Sequence, residues 1–207
     1  MQELKRAKCF LGIKSKKNDR RPSVNMLYDE TEIISQLKEP AEQKKAFAVV
    51  VRHYSERLYW QIRKMVLSHD DANDVLQNTF LKAWQGIELF RGDAKLSTWL
   101  YKISINECIT FLNKQRSQNK FSLDDVDSYL LNRLESDEYI DGDETQLKLQ
   151  KAILTLPEKQ RLVFNMRYFD DMKYEEMSDV LGTSVGALKA SYHHAVKKIE
   201  DFFAQDN

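Results

Sequence analysis

From Asp70 to Arg116 apolar residues return at intervals of three and four, a period that buries one side of a helix rather than one face of a strand. Val75, Leu76, Phe80, Ala83, Trp84 and Ile87 carry the period, while Asp74, Gln77, Asn78 and Lys82 fall largely off it. Phe90-Arg91-Gly92-Asp93 interrupts the pattern with a residue that tolerates positive φ, so a bend is predicted there. Ser97 or Thr98 is placed to cap a second helix, with Trp99, Leu100, Ile103 and Leu112 as its apolar stripe. Lys95, Ser97, Thr98, Trp99, Tyr101, Lys102 and Asn106 are packed into a short stretch. Cations track phosphates, rings stack on unpaired bases and amides bond base edges, so this mixture suits single-stranded nucleic acid. Trp99 and Phe90 read equally well as core, because aromatics at helical spacing usually are.

The rest of the chain follows the same grammar. Only six Gly and three Pro occur in 207 residues, and apolar stripes dominate, which points to an all-α protein of two small helical domains. Residues 1–27 form a basic tail without helical periodicity, expected to be disordered, and Met26 competes with Met1 as the translation start. The first domain is expected over 28–116, with Ile33, Ile34, Leu37, Phe47, Val50, Val51, Tyr54, Leu58, Ile62, Met65 and Val66 as core and Pro40 dividing two helices. Lys plus Arg equals Asp plus Glu at 32 each, yet residues 1–116 hold 21 basic and 14 acidic side chains, and 117–146 hold 2 and 9. A flexible acidic linker is therefore expected over 117–146, with a transient helix near Tyr129–Leu134.

The second domain, 147–204, opens with Leu156-Pro157-Glu158, where Pro at a first helical position and an adjacent acid start a helix. Tyr174 to Leu181, the turn at Gly182 and a cap at Ser184 then spell a helix-turn-helix. Its second helix turns Val185, Leu188, Tyr192, Val196, Ile199 and Phe203 inward. Lys189, Ser191, His193, His194 and Lys197 stay mostly outward, where such residues read base edges and hold phosphates. His193-His194 is a poor metal site, since adjacent helical positions point about 100° apart. Cys9 and Cys108 stand alone, without CxxC or Cys/His grouping, which disfavours a disulfide framework or structural zinc and fits a reducing cytoplasm. No apolar run reaches the ~18 residues of a membrane span, and Cys9–Ile13 is too short for a signal-peptide core, so no membrane insertion is expected. Nothing in the sequence calls for a cofactor.

Asp74, Gln77, Thr79, Phe80 and Trp84 in the pattern DxxQxTFxxxW, followed by FRG at Phe90 to Gly92 and STWLYKISIN at Ser97 to Asn106, closely resemble region 2 of bacterial sigma factors of the extracytoplasmic-function type. LPxKQRxVFxMRYFDxMxYEEMSxxLGTSxGALKxSxxxA resembles their region 4, in the expected order and at the expected distance. The resemblance implies a non-enzymatic protein that binds core RNA polymerase, at the β′ clamp helices and the β flap, and directs it to promoter DNA. It implies that Asp74, Gln77 and Phe80 dock on the clamp helices. It places Gly92, Asp93, Ala94, Lys95, Ser97 and Asn106 at the pocket for a flipped base of the −10 element, with Trp99 and Tyr101 in the strand-opening region. Ser184, Lys189, Ser191, His193, His194 and Lys197 fall at the −35 element. Many relatives carry Arg where this chain has Ser191 and His194, so bidentate guanine contact is less available here. An anti-sigma factor is a further possible partner.

Two other functions compete. A free-standing helix-turn-helix regulator would bind DNA without polymerase, but leaves the polar and aromatic group around Gly92 without a task. A nucleic-acid enzyme would need a paired acid and His constellation of metal-site spacing or a Gly-rich phosphate loop, and neither motif is present.

Overall fold

The computed structural model describes residues 28–92, 94–119 and 144–205, and among these every regular element is helical. The basic tail, Asp93, most of the acidic segment and the expected Tyr129–Leu134 helix lie outside the described residues. Contacts divide the chain into two compact units, with the division falling after Lys114.

The first unit holds α1 (Glu30–Lys38), α2 (Gln43–Val66), α3 (His69–Gly86), a 3-10 turn (Ile87–Leu89) and all but the last residues of α4 (Leu96–Asn119), which runs past the division. Ala46, Val50, Tyr54, Leu58 and Ile62 run down the buried side of α2 at steps of four, a spacing that keeps them on one face. The buried line of α3 is Ala72, Val75, Thr79 and Ala83: Val75, Ala83 and, in the turn that follows, Ile87 are buried as the period predicts, while Ala72 and Thr79 complete the line in place of bulkier residues. Leu76, Phe80 and Trp84 flank it, half-buried, and Phe47 meets the rings of Phe80 and Trp84 edge-on at 6.4 and 5.1 Å. Small residues thus dominate the buried side of α3, and aromatics of α2 and α3 meet beside it.

The α2–α3 corner is made by Leu67, a non-glycine residue in the left-handed region at φ 56°, whose amide bonds the Arg63 carbonyl at 2.9 Å. Ser68 then caps α3 by accepting from the Asp71 amide at 3.3 Å. Leu96, Leu100, Tyr101, Ile105, Cys108 and Leu112 form the buried face of α4. The Ser104 hydroxyl, 3.0 Å from Gln61 Oε1 and 2.8 Å from the Tyr101 carbonyl, gives the buried α2–α4 boundary an internal polar contact. Burial pushes the Cys108 thiol far above its usual range, which keeps it uncharged and unreactive.

The second unit holds α5 (Glu144–Leu154), α6 (Glu158–Tyr168), α7 (Tyr174–Leu181) and α8 (Val185–Gln205). Pro157 is the N-cap of α6, one position earlier than expected. Leu162, Val163, Phe164, Asn165 and Met166 are all buried, so α6 is wrapped by its neighbours rather than lying on a surface. Phe164 stacks on Tyr168 at 5.0 Å and on Tyr192 of α8 at 5.8 Å. Asp171, at φ 51°, turns the chain out of α6 and into the helix-turn-helix.

Candidate nucleic-acid interface

In the first unit the outward residues gather on α4 and the loop before it. The helix starts at Leu96, ahead of the predicted caps, and the Leu96 amide donates to the Glu30 carboxylate of α1 at 2.8 Å. The Trp99 amide then bonds the Lys95 carbonyl at 3.1 Å, completing the first turn. Lys95, Trp99, Lys102 and Asn106 recur at spacings of four, three and four, which puts them along one face. Lys95, Lys102 and Asn106 are exposed, and Trp99 is half-buried. The Trp99 ring leans on Phe90, centroids 5.1 Å apart and planes at 42°, and packs 3.5 Å from where a side chain on Gly86 would begin. Phe90 is core, and Trp99 is half-buried with its ring held against Phe90.

Gly92 has φ +84°, a backbone state that favours glycine, and open space around its Cα. Ala94 is exposed, Ser97 half-buried, and Asp93 lies outside the described residues. Tyr101 requires a correction. Its side chain is only 1% exposed, its hydroxyl accepts a 2.9 Å hydrogen bond from Arg57 Nε, and it joins the line Ser104, Ile105 and Cys108 rather than that of Trp99. Two positions along a helix turn a side chain by about 200°, so Trp99 and Tyr101 cannot share a face. Lys102, already part of that cluster in the sequence, falls on the Trp99 face instead, as the spacing from Lys95 to Asn106 requires.

On α3, Asp74, Gln77 and Asn78 are exposed along one edge, while Phe80 points to Phe47 and shapes that edge from beneath. Leu81 continues the edge at 58% exposure, and Leu89 in the following turn is 82% exposed. Neither belongs to the core stripe or to a site predicted from the sequence. Lys82 pairs with Glu107 and ties α3 to α4 behind this edge.

In the second unit, Gly182 closes α7 in the left-handed region at φ 62°, its amide bonding the Ser178 carbonyl at 2.9 Å. Ser184 caps α8, with its carbonyl accepting from the Leu188 amide at 3.0 Å and its hydroxyl from the Ala187 amide at 3.4 Å. Leu188, Tyr192, Ala195 and Ile199 are buried; Ser184, Lys189, His193, His194 and Lys197 are exposed, and Ser191 is half-buried at the flank. Lys189, His193 and Lys197, four apart, form a cationic and imidazole line suited to a phosphate-walled groove. The Tyr174 ring lies between two cations, Arg167 at 5.1 Å and Lys189 at 5.8 Å, which helps orient the Lys189 stem. The His193 and His194 rings are 6.0 Å apart and tilted, and among the described residues no group of three or more His, Cys, Asp or Glu gathers into a metal site.

The family model described as sigma-70 region 2 matches residues 50–118, and that described as sigma-70, region 4 matches residues 146–199. The chain is 27% identical over 161 residues to the RNA polymerase sigma factor SigV of Bacillus subtilis, covering 78% of this chain and 93% of that protein. It is 29% identical over 168 residues to the ECF RNA polymerase sigma-E factor of Haemophilus influenzae, covering 76% and 87% respectively. Two solved structures share its fold. CnrH in complex with the cytosolic domain of CnrY has a TM-score of 0.62 at 20% identity, with 86% of this chain and 99% of that one covered. The sigma factor RpoE of Bartonella quintana, in complex with the anti-sigma factor NepR, has a TM-score of 0.60 at 21% identity, with 79% and 99% covered. With region 2 on the first helical unit and region 4 on the second, this chain belongs to the sigma-70 family, as a sigma factor of the extracytoplasmic-function type.

Proposed function

We propose a division of labour for a protein that binds core RNA polymerase and directs transcription initiation. Its core-binding edge is α3, where Asp74 and Gln77 offer polar contacts and Leu81 an apolar one, with Phe80 as the support beneath. We assign this edge to the β′ clamp helices and the second unit to the β flap. The loop from Gly92 to Ser97 with Asn106 receives a flipped base of the −10 element, and Trp99 offers the stacking edge. Unstacking a base costs a few kcal/mol, and stacking on a ring returns about 1–3 kcal/mol, so a ring already anchored by Phe90 is of use to strand opening. Lys189, His193, His194 and Lys197, with Ser184 and Ser191 at the flank, face the −35 duplex.

The observation that carries this reading is the single outward line of Lys95, Trp99, Lys102 and Asn106 on α4, inside a region-2 match that a free-standing regulator would not need. The protein's work is recognition, with no bond made or broken by its own groups. No helix among the described residues is long and apolar enough to cross a membrane. We place its action in the cytoplasm, where polymerase and promoters meet, and count an anti-sigma factor among its proposed partners.

Transcription by purified core polymerase on host genomic fragments tests the assignment. Discrete new transcripts are expected with the protein, and Lys95→Ala, Trp99→Ala and Asn106→Ala should each slow promoter opening by about tenfold or more while sparing polymerase binding. Tyr101→Phe should leave opening unchanged. Tight binding to duplex DNA without any binding to polymerase would overturn the reading in favour of an independent regulator.

A further inference from the structure

The first turn of α4 is held from outside its own sequence. Ser97 and Thr98 are both available as local caps, yet the amide that opens the helix, at the fully buried Leu96, donates to Glu30 at the start of α1. A carboxylate there meets the positive end of the helix dipole through a charge-assisted hydrogen bond. Glu30 is itself fixed on both sides. Asp29 caps α1 by accepting from the amides of Thr31 at 2.8 Å and Glu32 at 3.3 Å. Tyr28 lies flat on the His53 ring, centroids 3.8 Å apart and planes within 6°, with its hydroxyl 3.2 Å from that of Tyr54 on α2. Ile33 and Leu37, one and two turns further along the same side of α1, are buried. The carboxylate thus has little freedom, and what it grips lies next to Lys95 and three residues before Trp99.

We propose that Glu30 is a positioning residue for promoter opening: through the Leu96 amide it sets the first turn of α4, and so the presentation of Lys95 and of the Trp99 ring. The proposal rests on the reading of the segment leading into α4 as the base-capturing one. Glu30 touches no DNA in this role. It keeps a binding surface in register so that the surface need not be ordered during melting.

The test uses the full chain and core polymerase. In the free protein, Glu30→Ala should raise hydrogen exchange at the Leu96 to Trp99 amides by about tenfold and leave the centres of α2 and α3 unchanged. In the holoenzyme it should slow opening of a duplex promoter by about fivefold, with core affinity unchanged, and have little effect on a template already unpaired at the −10 element. Glu30→Gln, which keeps an acceptor oxygen, should restore most of both. Faster exchange without slower opening, while Trp99→Ala does slow it, would overturn the positioning role and leave the loop assignment standing. Equal loss on duplex and unpaired templates, or a fall in core affinity, would overturn it as general misfolding. Unchanged opening in Lys95→Ala and Trp99→Ala would instead remove the loop assignment, and the role of Glu30 with it.

Discussion

Helix α8 begins where its own sequence tells it to: Gly182 ends the preceding helix, Ser184 caps the next, and Lys189, His193 and Lys197 follow in phase. Helix α4 begins where a residue of another helix tells it to, since Glu30, 66 positions upstream, holds the Leu96 amide. The difference suits the tasks proposed for them. A duplex offers a fixed groove, and a rigid helix with a local cap can be brought to it whole. An unpaired base must be caught as it leaves the stack, and the surface that receives it is better braced by the body of its domain. A locally capped helix is sensitive to its neighbours in sequence, whereas a remotely braced one is sensitive to residues far away.

The largest expected effect tests whether the two helices rest on separate foundations. Phe164 is fully buried and stacks on Tyr168 and Tyr192, so Phe164→Ala should destabilise the second unit by about 3–5 kcal/mol. Hydrogen exchange should rise throughout α6 to α8 and stay unchanged at the buried amides of α2 and α4. A matching rise in the first unit would break the comparison, because α4 would then depend on the second core as well.

Replacing the two left-handed glycines sharpens it. Gly182 and Gly92 both have positive φ and open space where a side chain would go, so Ala at either meets backbone strain rather than a clash. At Gly182 the strain falls on a turn fixed by the bond to the Ser178 carbonyl, and Gly182→Ala should lower the stability of the second unit by about 1–2 kcal/mol. Gly92 lies outside any helix, so Gly92→Ala should cost under about 1 kcal/mol in urea unfolding and show itself as slower promoter opening. Equal losses of stability at the two sites would mean that the loop before α4 is as tightly fixed as the turn before α8.

The legibility of the two units follows the same division. The helix-turn-helix could be read from Tyr174 to Phe203 because each signal, the Gly at 182, the Ser at 184 and the apolar steps after it, acts within a few residues. In the first unit the buried side of α2 was visible, with Val50, Tyr54, Leu58, Ile62, Met65 and Val66 lying where the period put them, but the full buried line of α3 was not. Ala72 and Thr79 are too small or too polar to announce a core, yet both are fully buried, and the larger Phe80 and Trp84 beside them are half-buried. Tyr101 sits among residues suited to DNA in sequence, and only the phase of Ser104, Ile105 and Cys108 turns it inward. The Glu30 cap had no local sign at all, since a glutamate in the first turn of α1 is already explained by that helix's own dipole.

The smallest expected effect concerns the brace itself and is read through pH. Burial lowers the pKa of His53, helped by the neighbouring Arg57 cation and opposed by Glu30. Because the folded ring resists a proton that the unfolded chain accepts near pH 6.5, unfolding gains protons as the solution is acidified. The contribution of neutral His53 is fully present above pH 6.5 and is lost as pH falls toward the lowered folded value. The ring is largely solvated, so the change is modest. Comparing urea midpoints at pH 7.5 and 5.5 isolates it when His53→Phe, which can keep the stack on Tyr28 without titrating, is measured beside the natural chain. A smaller acid-induced drop is expected in the variant. If exchange at the Leu96 amide also rises on acidification in the natural chain and not in His53→Phe, the stack of Tyr28 on His53 is part of what holds α4. An equal drop in both proteins would place the pH dependence elsewhere and leave Asp29 and the buried side of α1 as the parts that fix Glu30.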